Sequence, residues 1–136
     1  MKKIIEFLNL IGNLKFEKRK GWIQHGISNK VESVADHSFR TALITLILSD
    51  YWKKKGLNPE RMLKMALLHD LPEAIIGDIT PRDEISDKRK KENEAMKTLI
   101  NLINDFKEID NIWDDFFEQK SEEARLVFQI DKLEMA

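Results

Sequence analysis

Apolar residues return at steps of three and four along most of this chain. Nowhere do they alternate with polar residues for more than five positions. That recurrence follows the turn of an α-helix and disfavours a half-buried sheet, so the expected class is all-α. The residues that break helices set the boundaries. Ile4, Ile5, Leu8, Ile11 and Leu14 mark a helix over about 2–15. The stretch GWIQHGISNKVES, with two glycines and Ser28-Asn29, reads as a loop. Ser33 can cap the next helix, and Asp36 completes a variant of the capping box. That helix is expected from Val34 to about Lys54, stopped by Gly56. Asn58-Pro59 opens another with proline at its first position, and its apolar face runs from Met62 to Leu68.

Pro72 limits how far that helix can run. It lacks an N–H and pushes Leu71 out of helical geometry, so the helix is expected to end or kink just after Asp70. A short turn over Pro72–Ile76 is then closed by Gly77. Further helices are expected over about Ser86–Phe106 and Ile112–Phe117, and from about Glu122 behind a Ser121 cap. The last helix is still running at Ala136, so a further C-terminal helix is expected to be lacking.

The 136 residues suit a single domain over 1–136. With 35% charged residues the net charge is only -1, which argues against a dedicated nucleic-acid binder. The basic clusters Lys15, Lys18, Arg19, Lys20 and Lys88, Arg89, Lys90, Lys91 read as solvated faces. The most apolar run, Thr41–Ser49, is short of the ~20 residues that span a membrane. Glu6 and Asn9 interrupt the N-terminal apolar run, and no small-residue cleavage site comes after it, so a signal peptide is not expected. The absence of cysteine removes disulfides and thiolate chemistry and fits a cytoplasmic chain.

Chemistry gathers at ALLHDLPEAIIGD, positions 66–78. An apolar helix there runs into His69, Asp70, Glu73 and Asp78. His37 lies in the first turn of a second apolar helix, and Asp131 on the inward-reading face of a third. Each has an ordinary reading alone. A histidine on an apolar face is usually a hydrogen-bonded core residue. Asp131 could cap a neighbouring helix or pair with Arg125, and Asp70 could cap the Pro72 turn. Consecutive residues on a regular helix diverge by about 100°, so His69 and Asp70 address one ion only where the helix ends. Pro72 ends it. Two imidazoles and two carboxylates make a mixed shell that suits Mn2+, Co2+, Fe2+, Ni2+ or Zn2+ better than calcium.

The order His37, His69-Asp70, Asp131 resembles the H…HD…D signature of the HD-domain phosphohydrolases, most closely their 5'-deoxynucleotidase branch. The stretches that carry it are RKGWIQHGI, VESVADHSFRTALI, RMLKMALLHDLPEAIIGDITP and SEEARLVFQIDKLEMA, together spanning about residues 14–136. The resemblance implies a bundle of about six helices around one divalent metal, Mn2+ or Co2+ foremost, with Zn2+, Ni2+, Fe2+ or Mg2+ compatible. It implies hydrolysis of a deoxynucleoside 5'-monophosphate to deoxynucleoside and phosphate. By the same resemblance His37, His69, Asp70 and Asp131 hold the metal. Glu73 handles protons at the attacking water, and Asp78 stands beside the scissile phosphate. Arg19, as an exposed side chain, contacts substrate with Lys20. Trp22 could stack on base or sugar, or serve only as a packing anchor. His25 is assigned to loop surface. A homodimer is expected, although family members commonly continue past IDKLEMA with the helix expected to be lacking here. The same metal shell would serve another nucleotide phosphate ester, or a non-catalytic module that binds a nucleotide. The presence of both Glu73 and Asp78 favours catalysis.

Overall fold

The computed structural model describes residues 2–19, 32–77, 85–103 and 107–135. Helices α1 (Lys2–Ile11), α2 (Val34–Ile47), α3 (Ser49–Lys54), α4 (Pro59–Leu68), α5 (Glu73–Ile76), α6 (Ile85–Asn101), α7 (Lys107–Glu118) and α8 (Glu122–Glu134) succeed one another, with a 3-10 turn at Gly12–Lys15. The only extended pairing among the described residues is an isolated antiparallel bridge between Lys18 and Ser33. The all-α expectation holds. By its contacts the chain forms two compact units, residues 1–36 with 70–106, and residues 37–69 with 107–136.

In the first unit, α5 packs against α6, α1 and the 3-10 turn. Leu14, Val34 and Ala74 form its buried cluster, with Ala35 and Leu71 against it. The Val34 N–H donates to the Glu17 carbonyl at 2.8 Å, and the Arg19 N–H to the Glu32 carbonyl at 3.1 Å. These bonds fasten the strand-like segment after the 3-10 turn to the start of α2. Ala95, Met96 and Leu99 give α6 a buried stripe at one- and three-residue steps on an otherwise charged helix. Gly77 ends α5 at φ +77°, where a Cβ would also stand 3.0 Å from a Glu17 carboxylate oxygen. The positive φ strains any residue with a Cβ there, and the Glu17 carboxylate would have to move aside.

In the second unit, α4 packs on α7, α8 and α3. Met62, Met65, Ala66, Trp52, Ile112, Ala124, Val127 and Ile130 make the core. Burying a methionine or isoleucine side chain contributes roughly 1.5–3 kcal/mol each, and Met65→Ala would cost about 2–5 kcal/mol through the cavity left behind. The caps are at the expected residues. Asn58 Oδ1 accepts the Arg61 N–H at 3.1 Å, and Ser121 Oγ the Ala124 N–H at 3.0 Å.

The helix expected over Val34–Lys54 is broken at Leu48, whose φ of -91° and ψ of 11° leave the helical region. The Thr45 carbonyl, which a continuous helix gives to the Ser49 N–H, takes the Trp52 indole N–H at 3.2 Å. That bond satisfies the indole of the buried Trp52 at the break between α2 and α3. α4 also ends slightly early, with His69 as its C-cap. α6 is helical over Ile85–Asn101 and α7 over Lys107–Glu118, so the first expected limit falls short and the second extends further.

Candidate metal centre

His37 is fully buried in the first turn of α2. The capping box sets that turn. The Ser33 N–H donates to Asp36 Oδ2 at 2.9 Å, and the Asp36 N–H to Ser33 Oγ at 3.1 Å. Thr41 and Thr45, both buried, return their hydroxyls to carbonyls one turn back, at 2.9 Å each. They fill the inner face of α2 beyond His37 without an unpaired donor.

His69 stands at the end of α4, where helix geometry turns its ring back on the last turn. Its Nδ1 lies 2.6 Å from the Ala66 carbonyl oxygen. A carbonyl only accepts, so Nδ1 carries the proton and Nε2 offers a lone pair. Asp131 Oδ1, from α8, lies 2.5 Å from His37 Nε2 and 3.2 Å from His69 Nε2. The two Nε2 atoms are 3.4 Å apart. On the far side of its ring, His37 Nδ1 makes a short hydrogen bond to Glu134 Oε2.

Two ring nitrogens and a carboxylate oxygen therefore converge while both Nδ1 atoms are engaged elsewhere. Such electron-pair donors repel one another unless a positive charge binds them, and imidazole with carboxylate is the donor set of a divalent transition metal. The residues fit the ion. Burial pushes the Asp131 carboxyl up. Where protons stand in for the ion on the two Nε2 atoms, hydrogen bonds from His37 and His69, with their charge, outweigh burial and hold it well below the usual carboxylate range. Arg125 is engaged elsewhere, donating to the Gln119 and Lys120 carbonyls at 3.2 and 3.1 Å.

Asp70 comes directly after His69 and belongs to the first unit. Its main-chain carbonyl accepts the Glu73 N–H at 3.0 Å, and its Oδ2 lies 3.6 Å from Arg19 Nη1. Arg19 is only 8% exposed, which corrects the expectation of an exposed side chain. The Lys18–Ser33 bridge draws this segment inward, and the guanidinium meets a carboxylate there. Glu73, the first residue of α5, is also buried. Glu92 on α6 belongs to the same unit. Burial pushes its carboxyl up, Lys88 opposes that, and the Asp70 charge adds to it. Lys20, Trp22, His25 and Asp78 lie outside the described residues.

A family model described as HD domain matches residues 11–136. The chain belongs to the HD-domain family. It is 40% identical over 139 residues to the 5'-deoxynucleotidase HDDC2 of Danio rerio, covering 99% of this chain and 67% of that protein. It is 38% identical to the 5'-deoxynucleotidase hdd1 of Schizosaccharomyces pombe, covering 97% of this chain and 68% of the relative. The PH0347 protein of Pyrococcus horikoshii matches in structure with a TM-score of 0.81 and 42% identity, covering 96% of this chain and 73% of that one. The chain spans 65–67% of the length of the Danio rerio and Bos taurus relatives.

Two buried carboxylates of this HD domain are not foreseen from the sequence. Glu134 is one; its sign was its place three residues after Asp131, on the same face of α8. Asp115 is the other. It accepts from Arg61 Nε and Nη2 at 3.2 and 3.1 Å, and from the Ser121 N–H and hydroxyl at 2.9 and 2.8 Å. It ties α4, α7 and the cap of α8 together, and nothing in WDDFFEQKSEE sets it apart from its acidic neighbours.

Proposed function

We propose that this HD domain, acting over residues 1–136, is a metal-dependent phosphomonoesterase that hydrolyses deoxynucleoside 5'-monophosphates to deoxynucleoside and phosphate. The observation that carries the reading is the convergence of His37 Nε2, His69 Nε2 and Asp131 Oδ1. Asp70, joined to His69 through one peptide bond, is the fourth ligand in this reading. The names of the relatives supply the substrate class.

A divalent ion, Mn2+ or Co2+ foremost, supplies a polarised phosphoryl oxygen and a water acidic enough to attack near neutral pH. Glu73 accepts the proton of that water; it is buried at the start of α5, within the same unit as Asp70. Arg19 holds the substrate phosphate through its planar fork, with the charge of Asp70 fixing the guanidinium. Lys20, Trp22 and Asp78 keep the roles the family resemblance gives them, on phosphate, nucleoside and scissile group. The absence of cysteine suits a cytoplasmic enzyme. No helix among the described residues is long and apolar enough to cross a membrane. A homodimer is supported by Phe39, Leu43, Ile47 and Tyr51, which expose an apolar stripe at four-residue steps along α2 and α3.

The test is phosphate release from a panel of deoxynucleoside and ribonucleoside 5'-monophosphates and cyclic nucleotides, with Mn2+- and Co2+-loaded protein. Release from the deoxynucleoside 5'-monophosphates is expected. Release from another ester alone would move the substrate. No release from folded, metal-loaded protein would leave a nucleotide-binding module.

A further inference from the structure

Two pairs of residues face each other in the second unit. His37 and Arg40 lie three apart on α2, and Asp131 and Glu134 three apart on α8, so each pair shares one helix face. Asp131 meets His37 Nε2 at 2.5 Å, whereas Glu134 meets His37 Nδ1 on the opposite edge of the ring. The Glu134 side chain is completely buried, and its second oxygen lies 3.3 Å from Arg40 Nη1. Arg40 keeps its side chain 63% exposed. A buried carboxylate is costly unless paired and hydrogen-bonded, and Glu134 has both kinds of partner, one of them the ring of a proposed ligand.

We infer that Glu134 is a positioning residue of this centre, fixing the His37 imidazole by its Nδ1–H so that Nε2 is committed to the ion, with Arg40 balancing the Glu134 charge. The inference rests on the metal reading above. Its physical content is tautomer and orientation. A neutral imidazole carries one proton, and an acceptor at Nδ1 keeps it there and leaves Nε2 free to coordinate. The acceptor also stops rotation about the Cβ–Cγ bond, which would carry Nε2 away from Asp131 and His69. His69 is held in the same way by the Ala66 carbonyl, so each ring has its own orienting acceptor.

The experiment compares wild-type protein with Glu134→Leu, which fills the volume without an acceptor, and Glu134→Gln, which keeps an amide oxygen in reach of Nδ1. Co2+ affinity is read from its d–d absorption, with folding checked by circular dichroism. Glu134→Leu is expected to bind Co2+ about 10–100-fold more weakly, and Glu134→Gln to recover most of that loss. In metal-free protein, 1H–15N spectra should show a slowly exchanging downfield His37 Nδ1–H in wild type and in Glu134→Gln, lost in Glu134→Leu. Unchanged Co2+ affinity in folded Glu134→Leu would overturn the inference alone. So would a Glu134→Gln protein as weak as Glu134→Leu, because charge and not the acceptor would then be the role. A neutral wild-type ring protonated at Nε2 overturns it without any variant, which covers the case where Glu134→Leu does not fold. No Co2+ uptake by wild type would instead overturn the metal reading, and this inference with it.

Discussion

The Nε2 atoms of His37 and His69 stand 3.4 Å apart, and both also reach the same Asp131 oxygen. A site of one ion cannot spare a ligand, so His37→Ala, His69→Ala and Asp131→Ala should each lose bound metal. The fall in affinity should exceed the roughly 10–100-fold that outer partners command. Elemental analysis of purified variants checks this, and full occupancy in Asp131→Ala would remove that residue from the shell.

Glu73→Ala separates proton transfer from ligation. It should keep near-normal metal content and nucleotide binding, and lose turnover by about two to four orders of magnitude. An equal loss of metal would make Glu73 a ligand.

Arg19 is buried against Asp70, so Arg19→Ala should do two things. KM should rise, and thermal stability should also fall, because the Asp70 carboxylate loses a partner in a partly desolvated place. Arg19→Lys should keep much of the stability and less of the binding, since the planar fork is lost. A normal KM with collapsed stability would make Arg19 structural only.

The capping box at the start of α2 has a pH signature. The backbone hydrogen bond from Ser33, then the Ser33 hydroxyl, hold the Asp36 carboxyl below its ordinary range. A depressed folded-state value means the stabilisation is present above the unfolded value, near pH 4, and is lost as pH falls through the folded one. Asp36→Ala should cost about 0.3–1.5 kcal/mol at pH 7. Its urea midpoint should approach that of wild type below about pH 4. A difference constant down to pH 2 would refute the assignment.

Asp115 should matter to stability and not to chemistry. Asp115→Ala leaves Arg61 with Asn111 as its partner and removes the two bonds that hold Ser121, and should cost about 1–3 kcal/mol. The test is the urea midpoint beside the turnover per folded molecule, which should hold.

What could be read from the sequence was what depends on neighbours along the chain. The caps at Ser33, Asn58 and Ser121 act within three residues, so their side chains announced them. His37, His69 and Asp131 stood out because each interrupts an apolar face. The break at Leu48 was not legible, since it goes with an indole that bonds back to the Thr45 carbonyl seven residues earlier, which no local spacing announces. Asp115 was not legible either, and Glu134 showed only in its spacing of three from Asp131. On a chain with 24 acidic residues, a carboxylate reveals its burial only through a partner on another helix.

The two rings of the candidate centre are oriented by different kinds of acceptor. His69 leans on the Ala66 carbonyl, a main-chain group that no side-chain truncation removes, on a residue that is itself packed in the core. His37 leans on a carboxylate that a single codon change removes. The centre is therefore unequal under mutation. On the α4 side the backbone does the holding. On the α8 side the holding group is a side chain, and one substitution at Glu134 takes it away.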